Sequence, residues 1–188
     1  MRGLATTALA CLLLPGSLLA AVGQEQAHSS RIRPPEIPLP PDATLGDFQR
    51  IIRPFENWTL ICDQTIRAHK KVCNVLQIVD DASGKMAFSW SLAGTEDGKP
   101  YMILRTAPNA KADGLISFKF QGRDQPVDVH LDGCNEAVCV GMMPVGPLMR
   151  RQISQSASLT VSYPTRDGKT TAVTATLKGL SAAFSSIN

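Results

Sequence analysis

Two cysteines enclosing a short basic loop constrain this chain more than any other feature. The stretch Phe55 to Gln77 runs through Trp58, Leu60 and Cys62, crosses Ile66 to Lys71, and returns through Cys73 and Val75. Apolar and polar residues alternate on both sides of the loop. That period of two sends successive side chains to opposite faces of a strand. The stretch therefore reads as a β-hairpin whose loop is closed by Cys62 and Cys73.

The same pattern recurs down the chain. Strands are expected over 86–92, 101–105, 115–121, 126–131, 158–163 and 171–177. Turn-forming segments such as Asp80 to Gly84 and Pro164 to Lys169 separate them. Val127, Val129 and Leu131 share one face of their strand, with Asp128 and His130 on the other. Gly133 to Gly141 is a cysteine-bracketed turn entering a further strand. Pro147 to Ser154 opens with a proline suited to a helix's first turn, and 179–187 is a second short helical segment. Eight or nine short strands with one or two short helices predict an all-β domain, an antiparallel β-sandwich or barrel, over residues 55–188.

The N-terminal part differs in kind. Residues 1–23 have the organisation of a secretory signal. Arg2 precedes an apolar run from Leu4 to Leu14, Pro15-Gly16 breaks it, and Ala21-Val22-Gly23 supplies small residues for cleavage near Gly23. A retained anchor and a lipoprotein signal at Ala8-Leu9-Ala10-Cys11 are the rival readings. Residues 24–54 form a linker, with five prolines between Arg31 and Pro41 that stiffen it as a polyproline-II spacer. Leu45, Phe48, Ile51 and Ile52 recur at helical spacing after Asp42, so a short helix is expected over 42–53.

Export decides how the cysteines are read. Cys11 leaves with the signal, and Cys62, Cys73, Cys134 and Cys139 remain, an even set in an oxidising compartment. Three pairings are open, and proximity in sequence favours Cys62 with Cys73 and Cys134 with Cys139. On the loop-entropy argument these staples contribute about 3 and about 2 kcal/mol. Neither pair has Cys-x-x-Cys spacing for redox work. A zinc site built from Cys134, Cys139, His69 and His130 matches no familiar ligand spacing.

No nucleophile elbow and no phosphate-cradling glycine loop occur. Asp80-Asp81 and Glu96-Asp97 read as turn acids. No cofactor and no catalytic residue is expected. An enzyme would instead need a concavity lined by two or more acids or by His130. The formal charge of +3, which falls to +2 without Arg2, is too small and too scattered for nucleic-acid binding. After signal removal no segment is long and apolar enough to span a bilayer. Two stretches are candidate contact surfaces: the basic loop with Arg67, His69, Lys70 and Lys71, and the methionine-rich stretch from Met142 to Arg151, which ends in Arg150 and Arg151.

Four motifs in the same order carry a family resemblance. They are Phe55-x-x-Trp58-x-x-x-Cys62, Cys73-x-x-x-Gln77, Gly133-Cys134 with Cys139, and Leu177 to Phe184. Together they resemble the invasion-associated locus B family of exported alphaproteobacterial proteins, over about Phe55 to Ile187. The resemblance implies a periplasmic or surface-exposed β-sandwich with two disulfides. It also implies structural roles for Cys62, Cys73, Cys134 and Cys139, and for Trp58 and Gln77 as anchors of the fold. It implies no catalytic residues. The family takes its name from members linked to bacterial entry into host cells. The expected function is an exported envelope protein with a binding or adhesion role, its partner another envelope or host protein. An envelope hydrolase and an accessory subunit docking through residues 24–54 are the alternatives.

Overall fold

The computed structural model describes residues 43–94 and 99–187. The signal segment and the proline-rich spacer lie outside them. Among the described residues eleven strands form two antiparallel sheets. The larger sheet holds β1 (Phe48–Pro54), β2 (Thr59–Thr65), β3 (Lys71–Asp80), β4 (Met86–Gly94), β5 (Pro100–Thr106), β8 (Gly133–Cys134) and β9 (Cys139–Pro144). Their order is β1-β2-β3-β4-β5-β9-β8. The smaller sheet holds β6 (Leu115–Phe120), β7 (Val127–His130), β10 (Ser158–Pro164) and β11 (Thr170–Thr176), in the order β11-β10-β6-β7. The fold is thus a β-sandwich. Two helices, α1 (Pro147–Ser154) and α2 (Leu180–Ser185), follow β9 and β11.

One expectation fails. Residues 48–54 are not helical but form β1, paired in register with β2 from Phe48↔Thr65 to Pro54↔Thr59. The adjacent β-branched Ile51 and Ile52 suit an extended backbone, and Pro54 ends an edge strand, where its missing N–H costs no ladder bond. Arg50 fixes the pairing. Its Nε and Nη2 donate to the two carboxylate oxygens of Asp63, at 2.7 and 2.8 Å, directly across the two strands. That bidentate bond holds the Asp63 carboxyl below its usual range. The large sheet therefore begins ahead of Phe55.

The core lies between the sheets. Leu60, Val75, Phe88, Trp90, Met102 and Leu104 point inward from the large sheet, and Ile116, Phe118, Phe120, Leu159, Val161 and Tyr163 meet them from the small one. Each set follows the period of two read in the sequence. Trp90 sits at the centre, 5.4 Å from the Trp58 ring and 5.9 Å from Phe118, both stacked on it. The Tyr163 hydroxyl donates to the Ala87 carbonyl at 2.7 Å and ties the sheets at one point. Burial pushes that phenol's pKa up.

Gln77 ties them at a second point. Its side-chain Nε2 donates to the carbonyls of Asn57 and Thr176, at 2.9 and 3.1 Å. Its Oε1 accepts from Trp90 Nε1 at 3.1 Å and from the Thr176 N–H at 3.3 Å. The amide thus bonds both main-chain groups of Thr176, as a neighbouring strand would. A buried amide so fully partnered adds stability and fixes how the sheets sit.

One side of the sandwich nearly closes. The His130 carbonyl of β7 approaches Gly141 of β9 so closely that a Cβ there would lie 2.7 Å from it. The hairpin joining β10 and β11 is held by Asp167, which accepts from Thr165 Oγ1 at 2.5 Å and pairs with Lys169 Nζ at 3.1 Å. These partners, Thr165 first, lower the Asp167 carboxyl from 3.8 to about 2. A depressed carboxyl stabilises the fold above its unfolded value and loses that contribution as pH falls towards its folded one. Melting temperature measured against pH should therefore fall less steeply in Asp167→Asn than in the parent between about pH 4 and about pH 2. Parallel curves for the two proteins would remove Asp167 from the acid response.

Candidate functional site

Cys62 and Cys73 face each other across β2 and β3 and are disulfide-bonded, with Cα atoms 4.0 Å apart. The loop beyond them is exposed, and His69 takes a left-handed backbone (φ 52°) to make the turn. Its base is tied down. Thr65 N–H donates to the Lys70 carbonyl at 2.9 Å, and the Arg67 N–H to Asp47 Oδ1 at 2.8 Å. Arg67, His69 and Lys70 thus form an ordered cationic tip with solvent-facing side chains. Lys71 belongs to β3 rather than the tip, and its Nζ donates to the Ile187 carbonyl at 2.9 Å. Arg53 Nη1 reaches the Ser186 carbonyl at 3.2 Å. Two cations therefore meet the carbonyls just after α2, where a helix leaves acceptors unsatisfied and its dipole is negative.

The helices are positioned by the sequence around them. Pro147 starts α1, Met149 and Gln152 are buried, and Ile153 packs on the core. Gly179 precedes α2 at φ 94°, a conformation that a side chain would strain. Leu180 and Ala183 then face inward, while Phe184 stays 54% exposed. At this end the inward face of the large sheet, at Cys73, Leu92 and Pro100, is covered by the helices. Between them lies a groove of about 540 Å³ with a mostly apolar lining that includes Val145, Ile153, Phe184 and Ile187. Arg150 is its charged member. Its Nε donates to the Val145 carbonyl at 3.1 Å, and its Nη groups have no partner among the described residues. Volume and lining fall in the range of small-ligand and side-chain-binding clefts.

A second hollow, of about 460 Å³, lies between β7, β9 and α1. Asp128, His130 and Asp132 line it together with Met142, Met143 and Met149. Asp128 accepts a hydrogen bond from Ser117 Oγ at 2.5 Å. No hydrogen bond joins His130 to either acid among the described residues. The second disulfide, Cys134–Cys139, sits away from the groove, because β9 runs from Cys139 beside Thr106 to Pro144 beside Tyr101.

The structure thus brings Cys73 and Arg150 to one groove, while Lys71 reaches the Ile187 carbonyl from β3. It leaves Arg67, His69 and Lys70 at the hairpin tip and Arg151 on the outer surface of α1. Trp58 and Gln77 are buried at the core. Among the described residues all four cysteines are disulfide-bonded, Cys62 with Cys73 and Cys134 with Cys139. The groove's apolar walls were not foreseen. In the sequence, only the proline-started segment 147–154 and the small, apolar segment 179–187 pointed to two short helices.

No helix of the described residues is long and apolar enough to cross a membrane. The comparison with curated proteins returns no match. Among solved structures the fold is similar to the crystal structure of invasion associated protein B from Bartonella henselae. The TM-score is 0.58 at 14% identity, covering 73% of this chain and 94% of that one. The family model for invasion associated locus B (IalB) protein matches residues 58–188. Those residues hold all but the first strand of the sandwich, both disulfides and both helices. Family and disulfides fit an extracytoplasmic, invasion-associated envelope protein. The chain belongs to the invasion associated locus B family.

Proposed function

We propose that the protein is an exported envelope protein that acts by binding, with the helix-flanked groove as its docking site and an acidic envelope or host protein as its partner. Residues 1–23 direct its export, and it works in the periplasm or at the cell surface. One observation carries the reading. The apolar groove ends at a guanidinium whose Nη groups are unpaired among the described residues, so an apolar side chain beside a carboxylate on the partner would satisfy both. The ordered cationic tip at Arg67, His69 and Lys70 adds attraction for the same charge.

The test is photo-crosslinking in intact cells from position 184 at the groove and from position 119 on the small sheet, with and without Arg150→Glu. Capture of one protein from 184, absent from 119 and reduced about tenfold or more by the charge reversal, supports the proposal. Equal capture from both positions sinks it.

A second reading, an envelope hydrolase, is favoured by the hollow that gathers Asp128, His130 and Asp132. Hydrolysis of an envelope ester, amide or glycoside by the purified protein, abolished in His130→Ala, would establish it. Hydrolysis unchanged in that variant would discard it.

A further inference from the structure

Going beyond that reading, we infer that the free edge of β11 pairs with β11 of a second copy, giving a weak two-fold dimer with a continuous sheet. The argument starts from which way the β11 main chain points. Leu177 N–H donates to Ala157 and Thr165 N–H to Lys169, so the odd-numbered residues of β11 bond to β10. By the alternation of an antiparallel ladder, Thr170, Ala172, Thr174 and Thr176 direct their N–H and C=O groups away from β10. Gln77 takes both groups of Thr176. Thr170, Ala172 and Thr174 are exposed, and their outward groups have no partner among the described residues.

The other strands that end a sheet carry the devices that prevent pairing. β1 has Arg50, Arg53 and Pro54, β7 is four residues long with Asp128 and His130, and β8 has two residues. Between Thr170 and Thr176 there is no charge and no proline.

A second copy fits this edge. With the two-fold axis at Ala172, that residue faces itself, and Thr170 lies opposite Thr174 of the partner on the solvent face. Thr–Thr pairs of this kind are favourable across strands, and alanine at the axis lets the backbones approach. Two of the cations that flank the paired edge already have acidic partners. Lys169 pairs with Asp167 at 3.1 Å and Lys178 with Glu56 at 2.6 Å. The added ladder has about six main-chain hydrogen bonds over a small area, so the association is weak and visible only at high concentration.

The experiment is sedimentation of the purified exported protein, without residues 1–23, from about 10 μM to about 1 mM, spanning the range of weak association. The parent should shift towards dimer mass. Ala172→Lys sets two like charges opposite each other and should raise Kd by about tenfold or more. Thr160→Lys adds the same charge on the same face one strand inward and should leave the dimer intact. Ala172→Pro removes an outward N–H that β10 does not use, so its circular dichroism should stay native while dimer is lost. A parent that is monomeric at every concentration overturns the proposal. So does a dimer that Ala172→Lys leaves unchanged.

Discussion

Gln77→Leu is expected to lower the unfolding free energy by about 3–5 kcal/mol. Leucine fills much of the space but leaves four groups without their partner: the indole N–H of Trp90, both main-chain groups of Thr176 and the carbonyl of Asn57. Each buried group so stranded costs about 1–3 kcal/mol, and those nearest the edge regain part of it from water. Denaturant titration followed by circular dichroism would show a lower midpoint with the slope unchanged.

Gln77→Glu sharpens the test. It keeps acceptors for Trp90 and Thr176 but removes the donors, so a carboxylate faces two carbonyl oxygens. The folded state then resists ionisation, and the carboxyl's pKa rises above its unfolded value of about 4.3. Stability should be best below that value and decline as pH climbs through it. A Gln77→Leu loss under about 1 kcal/mol would show that water replaces the amide without penalty.

Trp58→Ala is expected to cost about 3–5 kcal/mol, by leaving a cavity beside Trp90 that the sandwich cannot collapse to fill. Trp58 is 1% exposed and stacks on Trp90 from the start of β2. Its indole nitrogen is buried without a partner, in contrast to that of Trp90. Trp58→Phe therefore keeps an aromatic ring and removes an unsatisfied donor. Its cost should stay near or below about 1.5 kcal/mol, against the much larger cost of alanine. Equal losses in the two variants would mean that the size of the indole, not its stacking, is what the site requires.

The two anchors were legible in different ways. Trp58 stands out in the sequence as a large apolar residue at the head of an alternating strand. Gln77 is an inward polar residue in an apolar pattern, and physics alone reads it as an irregularity. Only the family resemblance marked it. Its partners, Asn57 and Thr176, lie on segments that meet through the fold rather than along the chain.

Strands β2 to β7 followed directly from period-two alternation, because each has one face in the core. Edge strand β1 did not. Its inward face has Ile51 only half-buried between Gln49 and Arg53, and Ile52 on the outer face is 60% exposed. The apolar residues there are too few to establish the strand period, and Leu45, Phe48, Ile51 and Ile52 fell by coincidence on a helical one. The groove was hidden for another reason. It is assembled from β3, β4, β5, α1 and α2, between residues 73 and 187. Spacing along the chain carries no record of such a gathering.

The Cys62–Cys73 bond closes a ring around a basic, exposed hairpin tip. Arg67 and Lys70 offer cleavage sites to trypsin-like enzymes on that tip. A cut after Arg67 or Lys70 opens the loop but releases nothing. The new ends remain covalently joined through the staple, two paired strands deep in the sheet. The same holds for a cut between Cys134 and Cys139. A protein facing secreted proteases can thus be nicked at both rings and still migrate as one chain until it is reduced.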